Sequence, residues 1–457
     1  MTGRGRRLPR AGCLAAILLL AGGSAGHGDG DLAASGRVRL SGTAALEKDS
    51  RQEEPSLDSR LQLETQAEAV RLSVWLEGGW DGTVAGSGRQ AGLKDLTTVY
   101  PDQTLYLEVR ELFVERSEAA WDLRLGLQRF SWGRLDEYPV NDLVNPWDHS
   151  RFITRSLEER KIGVPAASLR QAREDWSGQA VWVPWLVPGR LARPGSRWSV
   201  LPAATVPAGA ELNPRESDLP ARTLANGSFG LRLLRLGELD WAVSLFHGFD
   251  PRPVFRATQP AVTATPAGLA IDPGFVPSYH KIFVAGTDLA AVLGAWSLRA
   301  EAAYTRNRVF NVALEHWGPP ALPAPGITPL PAVEETRDAL DYGLAADYRP
   351  FEDWVLTLQA QQARIRHRPT TLYERAAETI LWANLRIGWL NERLATTLNL
   401  AANPEHGGSM LRASGSYVIT DAWKLVLSGL ILDGPPQSLF GRFAANDQLE
   451  LTLEYAW

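Results

Sequence analysis

The chain has 457 residues, a formal net charge of −5 and one cysteine. That balance leaves no basic stripe for a nucleic-acid partner, and one cysteine cannot form an internal disulfide. An apolar content of 45% is ordinary for a soluble protein, but a barrel gives the same average because its lipid-facing and lumen-facing residues alternate.

Arg4, Arg6, Arg7 and Arg10 precede an apolar run at 14–21, followed by Gly23, Ser24 and Ala25. This order predicts a secretory signal peptide over 1–25, cleaved near Ala25. The run is much shorter than the roughly 20 residues that cross a bilayer as a helix. Cys13 precedes the apolar core, so it is not placed to carry a lipid anchor, and the mature chain lacks thiolate metal ligands. No linker divides 26–457, which reads as one domain.

Period-two alternation then recurs in segments of about ten to thirteen residues, the length of a tilted membrane-crossing strand. The spacing predicts an all-β fold, a transmembrane antiparallel up-and-down barrel of about eighteen strands, with sixteen as the alternative count. The strands are expected at 36–48, 58–67, 69–81, 103–116, 120–131, 164–173, 176–187, 226–236, 239–248, 280–291, 295–306, 338–348, 353–366, 376–389, 392–402, 409–419, 423–432 and 446–457. In the last, Leu449, Leu451, Leu453, Tyr455 and Trp457 alternate with Gln448, Glu450, Thr452 and Glu454. A terminal strand of this kind is expected to be the signal read by the barrel assembly machinery.

Connections are expected to alternate strictly between short periplasmic turns and long extracellular loops, the asymmetry of outer-membrane barrels. Trp121, Trp176, Trp241, Trp296, Trp354 and Trp423 each open a strand after a short turn, and Trp457 ends the chain. Hairpin pairing puts all seven at one end of the sheet, as a periplasmic aromatic girdle at the membrane boundary.

The long connection 132–163 carries Asp136, Glu137, Asp142 and Asp148, and the neighbouring strands carry Arg110, Arg124 and Arg170. If the loop enters the lumen, these charges form a pore constriction, since charged rings select ions; if it stays outside, they only solvate it. The connections 251–279 and 310–335 are rich in Pro, Ala and Val and read either as lids for an apolar solute or as stiff caps. Beyond His27, the histidines His149, His247, His280, His316, His367 and His406 fall in loops or at outer strand ends. An outer-face lipase or protease site is one reading of them. No paired-histidine metal spacing, nucleophile elbow or phosphate loop accompanies them.

From Gly126 onward the chain resembles an uncharacterised porin-like outer-membrane barrel family of Gram-negative bacteria, catalogued as a domain of unknown function. The resemblance is carried by Gly126-x-Gln128, by Ser131-Trp132-Gly133 and by Asn145-Pro146-x-Asp148. It continues in Val183-Pro184-x-Leu186-x-Pro188, Arg299-Ala300-Glu301-Ala302-Ala303-Tyr304, the segment 434–441, and Asn446-Asp447. It implies a large barrel, with genes often near pathways that degrade aromatics, steroids or terpenoids, and it lends no catalytic residue. Leu127 stands where the family commonly has a basic residue; Arg129 follows instead.

The expected function is a channel in the cell outer membrane for passive, substrate-selective diffusion of small solutes, hydrophobic or aromatic compounds among them, without a cofactor. Its expected partners are outer-membrane lipid, the assembly machinery and a small-molecule solute, in a monomer or loose oligomer. The rival readings are an outer-face enzyme and a structural sheath or scaffold.

Overall fold

The computed structural model describes residues 31–46, 54–81, 105–192, 197–199, 219–257, 261–265, 268–272, 275–313 and 334–457. The expected signal peptide, His27, His316 and most of the connection 310–335 lie outside the described residues. Among the described residues no helix is long and apolar enough to cross a membrane.

The chain forms a closed antiparallel barrel of eighteen strands. The first nine are β1 (Asp31–Ala45), β2 (Glu54–Ala67), β3 (Val70–Asp81), β4 (Leu105–Glu118), β5 (Trp121–Gln128), β6 (Val164–Arg173), β7 (Trp176–Val183), β8 (Ser228–Arg235) and β9 (Leu239–Phe249). Four short strands follow outside the barrel wall: β10 (Val254–Ala257), β11 (Ala261–Thr265), β12 (Gly268–Asp272) and β13 (Phe275–Ser278). The wall resumes with β14 (Lys281–Leu293), β15 (Trp296–Asn311), β16 (Glu334–Tyr348), β17 (Trp354–Ile365), β18 (Ala377–Trp389), β19 (Leu394–Asn403), β20 (Gly408–Val418), β21 (Trp423–Asp433) and β22 (Gln448–Ala456). Each wall strand pairs with its neighbours, and β22 pairs with β1 to close the ring. Closure leaves no sheet edge unpaired, the condition for spanning hydrocarbon.

The alternation sets which side chains point where. In β22, Leu449 and Leu451 are exposed on the outer surface while Gln448 and Thr452 are buried inside. In β1, Arg37, Arg39, Ser41 and Thr43 face inward with them, and Ser41 Oγ lies 2.8 Å from Thr452 Oγ1 across the closing seam.

Two expectations need correction. The loop-side connections are not uniformly long, since β19 and β20 are joined by 404–407 alone. In the apolar connection 251–279, read as lid or cap, β10 pairs with β13 and β11 with β12. Inward positions, too, are not polar throughout. In the loop-side half of the wall, Val164, Ala166, Val181, Val183, Phe246, Ile282, Val284 and Ala303 point inward and are buried in one apolar cluster. A second cluster joins Ala401, Met410, Leu430 and Leu432 to Phe152, Trp198, Phe440 and Phe443 of the connections. Inward apolar residues are stable here because folded-in loops, not water, cover them.

Candidate functional site

The connection 129–163 lies inside the barrel, and its contacts explain why. On β15, inward Glu301 accepts four backbone N–H groups of the loop. Its Oε1 takes Leu135 at 2.7 Å and Arg134 at shorter range, and its Oε2 takes Val140 at 2.9 Å and Asn141 at 3.0 Å. A carboxylate satisfied by several backbone donors forms a strong, charge-assisted anchor. Gly133 makes the approach possible: a Cβ there would sit 2.5 Å from Glu301 Oε1, and the residue has φ +92°. Only glycine adopts that conformation freely.

The base of the loop is tied by Asn145, which is fully buried. Its Oδ1 accepts Phe130 N–H at 2.6 Å, and its Nδ2 donates to the carbonyls of Gln128 at 3.0 Å and Ile162 at 2.8 Å. Pro146 O accepts Ile162 N–H at 2.9 Å. One side chain thus joins the departing and returning limbs. Trp132, also buried, packs in the first apolar cluster and donates its indole N–H to Gln179 Oε1 on β7 at 2.9 Å.

The charged residues fall into two groups. Asp142 is buried against the Lys161 ammonium, which also donates to Phe130 O at 2.6 Å and Ser131 Oγ at 3.0 Å. Burial pushes the Asp142 carboxyl up to about 6 against the pull of Lys161. Asp148 is buried against Arg190, 2.6 Å away. By contrast Asp136 is 46% exposed and meets Arg299 of β15 at 2.7 Å. Glu137 meets Arg160 at 2.6 Å, and Gln359 of β17 donates to its carbonyl. The two buried carboxylates brace the loop; Asp136 and Glu137 remain at its surface.

The wall arginines divide in the same way. Arg110 is buried and donates to the carbonyls of Glu159 at 2.5 Å and Lys161 at 2.9 Å. It occupies a β-bulge, where β3 passes from pairing with Glu111 to pairing with Val109. The extra residue points both Arg110 and Glu111 inward, which strict alternation does not anticipate. Arg124 pairs with Glu115, whereas Arg170 is exposed in the turn-side lumen. Arg129 meets Glu111 at 3.3 Å and lies 3.8 Å over the Trp75 ring, whereas Leu127 pairs with outward-facing Leu112.

Several residues of the site carry no sequence motif. Glu159 lies in the short helix Leu157–Arg160, where Ser156 and Glu159 form a reciprocal capping box. Its carboxylate enters a cage of Arg37 and Arg39, both at 2.8 Å, with Arg60 at 3.8 Å. Burial alone would raise its pKa, but Arg39, Arg155, Arg37 and Arg60 outweigh burial and hold it well below the usual carboxylate range. Across the lumen Arg134 reaches Asp288 at 2.9 Å and Asp240 at 3.2 Å. Ser156-x-x-Glu159 was a legible capping signature; the arginine cage depends on strand pairing.

The seven girdle tryptophans all lie at the turn-side rim. Trp176 packs edge-on to Trp241 at 5.2 Å, Trp296 stacks on Tyr348 at 4.4 Å, and Trp423 and Trp457 flank Tyr455 at 4.8 and 5.8 Å. Trp121 and Trp354 open their strands at the same end.

Of the outer histidines, His280 stands in a polar cluster. Its Nε2 lies 3.0 Å from Ser278 Oγ and 3.2 Å from Glu334, while Ser278 Oγ donates to Glu334 Oε1 at 2.9 Å. Serine and glutamate converge on the same ring nitrogen, whereas a nucleophile relay requires them on opposite nitrogens. Among the described residues no group of three His, Cys, Asp or Glu side chains is arranged to hold a metal.

No curated protein matches the chain. Among solved structures it is similar to Acinetobacter baumannii OccAB1, at 9% identity and TM-score 0.52, over 94% of this chain and 96% of that one. It is also similar to Pseudomonas aeruginosa OccK8 (OprE), at 10% identity and TM-score 0.51, over 93% and 98%. At such identities the likeness concerns fold, that of outer-membrane barrels. A family model described as "Protein of unknown function (DUF1302)" matches residues 82–457, and the chain therefore belongs to that porin-like barrel family.

Proposed function

We propose that the protein is an outer-membrane channel through which small solutes diffuse passively, selected at the loop 129–163. The supporting observation is the anchoring of that loop across the lumen by Glu301 on one wall and by the Arg37, Arg39 and Arg60 cage on the other. A barrel serving only as a sheath has no use for a braced internal constriction. The inward face of β18 to β21 carries small polar residues, among them Asn384, Asn399, Ser414 and Ser428, which leave width beside the loop. Asp136 and Glu137 are acidic groups of the loop that stay partly exposed, and conduction requires that binding there be weak.

The protein is taken to work without covalent catalysis, in line with the His280 geometry. Export would use the signal 1–25, insertion the β22 strand and the lipid-facing leucines, and the tryptophan rim would mark the periplasmic interface. The hairpins of 254–278, tied to the barrel where Asn311 Nδ2 donates to Phe255 O at 2.7 Å, would partly cover the outer mouth. Apolar solutes suit such a cover.

Planar-bilayer recording tests the proposal. Folded protein is expected to give discrete conductance steps; silence from barrels whose folding is verified by heat-dependent gel migration overturns it.

A further inference from the structure

Beneath the loop, in the turn-side half of the lumen, lies a cavity of about 270 Å³ between β5, β6, β7 and β8. Four guanidinium groups line it, those of Arg124, Arg129, Arg170 and Arg232, against one carboxylate, Asp122. Three of the four are already committed: Arg124 to Glu115, Arg129 to Glu111 at 3.3 Å and Arg232 to Asp288 at 2.7 Å. Arg170 is exposed and, among the described residues, has no ion pair, although Asp122 is its cross-strand neighbour. Register places Gln179 next to Arg170 and Arg232 next to Gln179, so one row runs from cation to amide to cation. Phe130, Trp132 and Leu234 add apolar surface, and three serine residues complete the lining.

We infer that this cavity binds a single-ring organic carboxylate, a benzoate-like anion, as a weak station below the constriction. A free guanidinium offers two parallel donors to a carboxylate, and aromatic edges favour a flat apolar body beside it. Volume bears on the size: drug-sized ligands occupy roughly 300–1,000 Å³, so a cavity of 270 Å³ suits a compact anion such as a single-ring carboxylate. The inference rests on the channel reading, and it narrows the solute to one that joins an anionic head to an apolar ring.

Binding is measured on the full folded barrel in detergent, by titration calorimetry or saturation-transfer NMR, with benzoate, acetate and benzyl alcohol as probes. Benzoate is expected to bind about tenfold more tightly than either fragment, and Arg170→Gln to lose about tenfold in benzoate affinity, the fold-change for one charged hydrogen-bonding partner. Equal affinity for benzoate and acetate, or an unchanged Arg170→Gln barrel, overturns the inference. Arg170 lies exposed on the inner wall, so the variant should keep native heat-dependent migration, and Arg170→Lys should restore part of the affinity. Because the assay needs no current, a conducting barrel that ignores benzoate refutes this site alone. A silent barrel that binds benzoate refutes the channel alone.

Discussion

Asn141 N–H donates to Glu301 Oε2 at 3.0 Å, joining residues 160 apart in sequence. The bond is one of four through which a single wall carboxylate fixes the loop inside the barrel. Glu301→Gln keeps the shape but exchanges one acceptor oxygen for a donor, so two of the four loop N–H groups lose their partner. Each buried orphan costs about 1–3 kcal/mol. The loop should loosen while the barrel stays closed. The expected outcome is a larger and noisier unitary conductance, with faster tryptic cleavage at Arg134.

Asp136 and Asp142 should respond differently to the same chemistry. Asp136 is 46% exposed, so Asp136→Asn is expected to move the reversal potential toward anions and leave thermal stability nearly unchanged. Asp142 is buried with Lys161, and Asp142→Asn leaves an ammonium without its counter-charge. Breaking a buried pair costs about 3–5 kcal/mol. A lowered unfolding temperature with little change in selectivity is expected, read by thermal melts alongside reversal potentials.

Glu159→Gln removes the carboxylate shared by Arg37, Arg39 and Arg60, leaving Arg39 its pair with Asp58 and Arg37 a more distant one with Glu454. The net inward charge becomes more positive by one, so the channel should become more anion-selective and the loop less firmly held. Salt-gradient reversal potentials measure the first effect, and limited proteolysis the second.

The pH response combines groups of opposite sign. Burial and the nearby Arg160 push the His149 imidazole down to about 4, so its contribution is complete above the ordinary histidine value near 6.5 and is lost as pH falls through 4. Asp142, pushed up to about 6, acts in reverse and favours the docked loop as pH falls from 6 toward 3.8. The two displacements are comparable and largely cancel. Glu159 then decides: its depressed pKa contributes stability above about 4.5 that is lost as pH falls toward the folded value. Conductance should therefore hold steady between about pH 7 and 5 and become noisy in the range below about 4.5. A transition centred near pH 6 would contradict this.

Gly36 and Trp457 form the closing seam. Gly36 N–H donates to Trp457 O at 3.2 Å, and Trp457 N–H returns the bond at 3.1 Å. A Cβ on Gly36 would overlap the indole. Gly36→Ala should displace the ring and reduce the yield of closed barrel, read by heat-dependent gel migration; pairing it with Trp457→Ala should recover closure.

Alternation, turn spacing and the tryptophan placement were enough to determine the barrel and the end at which the short turns lie, because a strand's faces follow from period two alone; the choice of eighteen strands over sixteen came from the pairing of the closed ring. Ser131-Trp132-Gly133 and Asn145-Pro146 likewise marked the loop that matters, without revealing their work. Where that loop folds was settled by contacts between residues more than a hundred positions apart, such as Glu301 with Asn141 and Glu159 with Arg37. Shorter-range pairs, Asp142 with Lys161 and Asp148 with Arg190, then brace the loop while Asp136 stays exposed. Period two does not anticipate the bulge beside Arg110 or the inward apolar patches, since a bulge shifts the register and a folded-in loop supplies an apolar neighbour that no single strand encodes. Local pattern dictates which face a side chain takes, and only the assembled lumen dictates what it meets there.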